Sequence, residues 1–167
     1  MIFAKNIRGL RLSCFIFIFL CSCAVGKTST DIVAYVNQDI MNISQLEILA
    51  LKYYGSVTGD HYTTDDRVLS VLKNHTIPLY SRFYALLREI SPNTLELKQV
   101  HQNYVRGAGE ILNGFKAKMI GLEKNDAGLM QLANRQIEEG GKEVGKWRIE
   151  LYQLITKNKS VKMESKK

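Results

Sequence analysis

Six side chains in this sequence have chemistry to offer as a nucleophile, an acyl acceptor or a metal ligand: Cys14, Cys21, Cys23, His61, His75 and His101. A thiolate attacks electrophiles and a neutral imidazole ligates metals, so spacing decides what either does. No Cys follows Cys23, so the ligand spacings of structural zinc sites are absent. None of the histidines has a Glu three residues before it, so the Glu-x-x-His signature of di-iron bundles is missing as well. His101 falls on an apolar helical seam beside Tyr104, and His75 precedes Pro78. These two are the candidate metal or haem ligands. The plainer roles are a core His101 hydrogen-bonded to a neighbour and a His75 serving carbonyls freed by the proline. His61 reads as a solvated loop residue. Asp65-Asp66 and Glu138-Glu139 read as a helix N-terminal pair and a solvated face, not as an acid–base couple. There is no nucleophile elbow, P-loop or dinucleotide fingerprint. The expectation is a non-enzyme with no cofactor.

Cys23 stands apart because of what precedes it. Lys5, Arg8 and Arg11 form a positive segment with no acidic residue among the first 22 positions, and Cys14 to Leu20 is an apolar run. That is the layout of a secretory signal peptide. The run is too short to span a bilayer, which takes roughly 20 residues. It ends in Leu20-Cys21-Ser22-Cys23, which resembles the lipobox of bacterial lipoproteins: an aliphatic residue three before the acceptor Cys, small residues between, then the Cys. Cys21 is a less usual small residue at its place. The resemblance covers the first 23 residues. It implies that residues 1–22 are removed as a signal peptide and that Cys23 becomes the N-terminus, carrying a diacylglyceryl thioether and usually a further acyl chain. Two or more chains hold a protein to a membrane stably, whereas one binds marginally. In many diderm bacteria an Asp after the Cys retains the lipoprotein in the inner membrane. Ala24 stands there, which implies the outer membrane, facing the periplasm, in a diderm organism.

Cleavage changes what composition means. It leaves 145 residues, enough for one domain, and with Cys14 and Cys21 gone no internal disulfide is possible. The net charge of +7 falls to +4, and residues 157–167 alone hold five Lys against one Glu. The body between is close to neutral, which argues against nucleic acid as a partner. Lys157, Lys159, Lys162, Lys166 and Lys167 are a candidate second membrane contact, each worth about 1 kcal/mol near anionic headgroups.

The elements that would position these groups are helices. Residues 23–29 form the lipidated Cys and a tether, 30–156 a bundle, and 157–167 a Lys-rich disordered tail. A first helix opens at Ser29 or Thr30 with Asp31 in its first turn, carries Ile32, Val36, Ile40, Ile43, Leu46, Ala50 and Tyr53 inward, and ends near Gly55. A second, capped by Thr63 or Thr64, carries Leu69, Leu72, Thr76, Leu79, Phe83, Leu86 and Ile90, with a kink or break near Asn74–Pro78. Ser91-Pro92 restarts the chain into a third helix, with Leu97, His101, Tyr104, Ala108, Ile111, Phe115 and Leu122 inward. Gly107, Gly114 and Gly121 repeat on one flank of it, as a packing seam or a groove. Asn125-Asp126 turns into a fourth helix with Leu129, Leu132, Ile137, Val144, Trp147, Leu151 and Leu154 inward, ending at Thr156; Gly140, Gly141 and Gly145 are candidate partners of the glycine flank.

The fold expected is all-α: an up-down-up-down four-helix bundle with a kinked second helix, preceded by a cleaved signal peptide. Ser91-Pro92 followed by Leu97 and His101 to Tyr104 is similar to what small helical-bundle envelope lipoproteins carry, without pointing to one characterised family. The functional expectation is a membrane-anchored, non-enzymatic binding or accessory module with an unidentified envelope protein as partner. The alternatives are a bundle binding a metal, haem or small apolar molecule between the glycine flank and His101, and an inhibitor or immunity lipoprotein.

Overall fold

A computed structural model describes residues 28–164, with side chains over 28–158. The signal segment, Cys23, most of the tether, Lys166 and Lys167 lie outside the described residues, as do the side chains of Lys159 and Lys162. The described chain is all-α, with no β-strand. Helix α1 spans 28–55 and contains a π segment, Tyr35–Ile40, ahead of its α-helical part Met41–Gly55. A 3₁₀ turn, Gly59–His61, leads to α2, which consists of Asp65–Val71, a π segment Leu72–Thr76 and Ile77–Glu89. Helices α3, Leu95–Lys124, and α4, Ala127–Glu164, follow.

Local chemistry explains most boundaries. Thr64 caps α2: its Oγ1 accepts from Arg67 N–H at 3.2 Å, with Asp65 and Asp66 in the first turn favouring the positive end of the dipole. Between α3 and α4 two residues do both jobs. Asn125 takes the left-handed conformation (φ 52°), while its N–H reaches Leu122 O and Asp126 N–H reaches Gly121 O at 2.8 Å, closing α3. Asp126 Oδ1 then accepts from Leu129 N–H and opens α4.

Four boundary expectations are corrected. Helix α1 is already helical at 28, ahead of Ser29 and Thr30, and Asp31 near its start reaches across to another helix. Its carboxylate accepts from the backbone N–H groups of Asn93 and Thr94 and from both side chains, at 2.6–3.1 Å. The start of α3 is therefore capped from α1, and the restart moves from Ser91-Pro92 to Leu95, with Pro92 buried ahead of it. In α2 the chain neither breaks nor needs the missing N–H of Pro78: the π segment Leu72–Thr76 lies just ahead, and proline sits in the first turn of the α-helical stretch that follows. An i→i+5 turn widens the helix where the proline ring would otherwise press on the carbonyl of Asn74. Finally, α4 does not end at Thr156 with a disordered tail but continues to Glu164. No Gly or Pro follows Gly145, Asn158 Nδ2 donates to Leu154 O, and Lys157 pairs with Glu96 at 3.5 Å.

On α2 the expected Leu72, Thr76 and Phe83 are buried, while Val68, Tyr80 and Leu87 are buried in place of their neighbours Leu69, Leu79 and Leu86, which are half-buried. On α3 the expected seam from Leu97 to Phe115 is buried throughout, and only Leu122 is half-covered. On α4, Leu132 is exposed and Ala133 takes the inward place.

Gly107, Gly114 and Gly121 are a packing seam. A Cβ on Gly107 would stand 2.7 Å from Gly140 O, one on Gly114 2.9 Å from Ala133 O, and one on Gly121 2.8 Å from Met130 Cγ. The pairing runs antiparallel, so α3 and α4 form a hairpin in backbone contact. Gly140 is the true partner; Gly141 and Gly145 face open space.

Candidate functional site

The centre of the bundle holds more oxygen and nitrogen than an apolar core needs. Tyr35, Tyr80, Tyr104 and His101 are all at most 2 % exposed, and Glu47 is 7 % exposed. Buried tyrosines ordinarily find a partner for the hydroxyl, and a buried carboxyl must be paired or stay neutral. Two networks answer this.

In the first, Trp147 Nε1–H donates to the Tyr35 oxygen at 3.2 Å, and Tyr35 lies 3.0 Å from His101 Nδ1. Indole only donates, so the Tyr35 hydrogen is free to point at His101, whose Nδ1 then accepts. Burial lowers the His101 pKa, against the opposing influence of the Leu87 backbone and Asp39, so the ring is neutral. The chain Trp147→Tyr35→His101 ties α4 to α1 and α1 to α3. Burial likewise holds the Tyr35 hydroxyl well above its ordinary value, so it keeps its proton.

In the second, Tyr104 donates to Glu47 Oε2 at 2.6 Å. Burial raises the Glu47 pKa, with the Tyr104 bond and the charge of Arg148 acting the other way. Tyr104 stacks on Trp147 with centroids 3.9 Å apart, which joins the networks through their rings. Phe83, Tyr80 and Phe115 continue the aromatic core by tilted and edge contacts. The Tyr80 hydroxyl and Thr76 Oγ1 are buried without a hydrogen-bond partner among the described residues.

His101 Nδ1 is taken by Tyr35 and the ring also bonds the Leu87 backbone, and no group of three His, Cys, Asp or Glu converges among the described residues. His75 is exposed and stacks on Tyr53, centroids 4.4 Å apart, instead of serving backbone carbonyls. His61 lies in the exposed 3₁₀ turn. The three histidines do not meet. The glycine flank is filled by atoms of α4.

Glu47, Tyr35 and Tyr80 are not among the residues that the apolar period picks out on α1 and α2. A signal for Glu47 was present: it lies four after Ile43 and three before Ala50, on the same inward face.

The accessible concavities lie at the surface. A cleft of about 420 Å³ opens where the α1–α2 loop meets the α3–α4 turn, lined by Tyr62, Val68, Lys118, Leu122, Met130 and Asn134 among others. Lys118 Nζ crosses it, donating to Tyr54 OH and Asn134 Oδ1, both at 2.9 Å, above the Tyr54 ring. A polar groove of about 500 Å³ runs along α3 and α4 towards their other end, between Glu96, Asn103, Glu150 and Lys157. Among the described residues no helix is long and apolar enough to cross a membrane.

No family model matches the chain, and no curated protein or solved structure is significantly similar to it.

Proposed function

We propose that this chain is a bacterial lipoprotein: an envelope protein lipidated at Cys23 whose helical body is a non-enzymatic binding or accessory module. The observation that carries the reading is Leu20-Cys21-Ser22-Cys23 at the end of an apolar run preceded by Lys5, Arg8 and Arg11. Residues 1–22 are the cleaved signal peptide, and Ala24 favours the outer membrane, on its periplasmic face, in a diderm host. We read the body as an up-down-up-down four-helix bundle. In support, Asp31 meets Asn93 and Thr94, Tyr53 meets His75, and α3 turns into α4 over two residues. In that topology the anchor and the Lys-rich end of α4 leave together, and Lys157 to Lys167 add an electrostatic hold on the same membrane. The far end then carries the loop 56–64 and the cleft crossed by Lys118. That is where an envelope protein partner would bind.

The chemistry of the core agrees with a binding role. A neutral His101 and a Glu47 with a raised pKa, both buried, tie helices together and leave the surface to do the work.

The test is the mass of the mature N-terminal peptide after expression in a diderm host. A peptide beginning at Cys23 with two or three acyl chains is expected, and Cys23→Ser abolishes it. A mature protein that starts elsewhere and carries no acyl mass refutes the proposal. Crosslinking from the far end of the bundle in intact envelopes then asks for a reproducible protein partner.

A further inference from the structure

We infer that the cleft crossed by Lys118 takes an acidic side chain of the partner protein, its carboxylate on the Lys118 ammonium and a neighbouring apolar side chain on Val68, Leu122 and Met130. The inference rests on this end of the bundle being the docking site, as proposed above, and adds the chemistry of what docks there.

Lys118 is a cation held in place by neutral groups. It is half-buried on α3, its Nζ donates to Tyr54 OH of α1 and to Asn134 Oδ1 of α4 at 2.9 Å each, and it stands 5.2 Å from the Tyr54 ring centroid. An ammonium has three hydrogens to give, and the two bonds leave one. Lys118 pairs with no carboxylate among the described residues. A lysine on an open surface gives up rotamer freedom when it fixes an anion. Lys118 is already tied to two other helices, so a carboxylate meets a preorganised donor. Asn134 adds a second donor: with Oδ1 turned to Lys118, its Nδ2 has no partner among the described residues.

The carboxylates nearby are engaged elsewhere. Asp65 lines the same cleft, but it accepts from Tyr62 OH at 3.2 Å and stands in the first turn of α2, where the helix dipole favours its charge. Asp126, at the turn into α4, accepts from Leu129 N–H. Asp60 and Asp66 are exposed and do not line the cleft. The charge that the cleft leaves unanswered is therefore the ammonium.

The lining sets the rest of the occupant. The cleft holds about 420 Å³, and Val68, Leu122 and Met130 give it an apolar wall alongside Lys118 and Asn134. An apolar wall with a few placed polar groups is how specific sites are made. A carboxylate alone would leave that wall wet. An apolar group alone would strip water from the ammonium and return nothing. A segment that carries an acidic and an apolar side chain next to each other answers both.

The test titrates full-length lipidated protein in detergent micelles with two peptides, acetyl-Leu-Glu-Leu-amide and acetyl-Leu-Gln-Leu-amide, and follows isotope-labelled methionine methyls by NMR. Met130 lies in the cleft wall, whereas Met41 lies about 20 Å back along α1 from Tyr54 and serves as the control. The Glu peptide should shift Met130 and leave Met41 alone, and the Gln peptide should bind roughly tenfold more weakly, the worth of one charge-assisted hydrogen bond. Lys118→Gln should erase that preference, and Lys118→Arg should keep most of it. Asn134→Asp is the second variant: it leaves the lysine tied to α4 but supplies a carboxylate from within, so it too should erase the preference. Equal binding of the two peptides, no shift at Met130, or a preference that survives Asn134→Asp overturns the carboxylate contact. In intact envelopes, crosslinking from this end should weaken in Asn134→Asp. A crosslink unchanged by that substitution overturns the carboxylate contact and leaves the docking site standing, whereas no crosslink from the unsubstituted protein overturns the docking site and this inference with it.

Discussion

Gly140 and Gly141 are neighbours in the same helix, and one methyl group should push their stabilities in opposite directions. Replacing glycine by alanine inside a helix stabilises by about 0.5–1 kcal/mol, because the unfolded chain loses freedom. Gly141 has nothing within 4 Å of the position a Cβ would take, so Gly141→Ala should show that gain in full. At Gly140 the same carbon would stand 2.6 Å from Gly107 O, 2.7 Å from Ile111 Cγ1 and 2.8 Å from Ile111 N. Two of these three are backbone atoms of α3, so the helices must part. Relief to ordinary contact needs a separation of roughly 0.7 Å, which loosens the hairpin along the Gly107–Gly114–Gly121 seam. Overpacking of this kind costs about 1–3 kcal/mol, which exceeds the propensity gain. Gly140→Ala should therefore lower stability by about 1–2 kcal/mol, or several degrees in Tm, while Gly141→Ala raises it. Urea unfolding followed by circular dichroism reads both. If Gly140→Ala proves as stable as Gly141→Ala, the close approach of α3 and α4 is wrong.

Three further outcomes follow from the buried networks. Tyr35→Phe leaves Trp147 Nε1 and His101 Nδ1 without their shared partner, so it should cost about 1–3 kcal/mol and change the emission of Trp147, the chain's one tryptophan; unchanged emission and stability would rule out the chain of hydrogen bonds. Glu47 has a folded pKa raised by burial, so its contribution is full below the unfolded carboxyl value and is lost as pH rises through the folded value. Glu47→Gln should remove that loss, and a stability profile across acid to neutral pH that is the same for both proteins counts against burial raising the Glu47 pKa. For Asp31, burial raises the pKa but the bonds from Thr94 and Asn93 outweigh it and hold it below the usual carboxylate range. Its contribution is present above the unfolded value and is lost as pH falls through the folded one, so Asp31→Ala should cost about 1–2 kcal/mol at neutral pH and nothing at strongly acidic pH in the same unfolding assay.

How far the fold could be read ahead of time depended on which physics set each feature. The α3 seam was legible because an unbroken 3.6-residue period carries its own phase: Leu97, His101, Tyr104, Ala108, Ile111 and Phe115 are all inward. In α2 only part of the seam was legible: Leu72, Thr76 and Phe83 are inward as expected, but Val68, Tyr80 and Leu87 take the places of their neighbours Leu69, Leu79 and Leu86, because packing chooses between adjacent residues that both lie near the seam. Ser91-Pro92 has the composition of a helix start, yet Asp31, some sixty residues earlier, supplies the cap and moves the start to Leu95.

The sequence by itself determined the class of fold, the antiparallel turn at Asn125-Asp126, the glycine heptad and the lipobox-like end of the apolar run. These rest on neighbours within one or two helical turns, and local spacing encodes them. Only the tertiary structure decided that the glycines make a seam instead of a groove, that His101 answers to Tyr35, and that Glu47 lies under Tyr104. Those partners come from different helices. Which rings and carboxyls meet depends on the rotation of each helix about its own axis, and that rotation is settled by packing all of them at once.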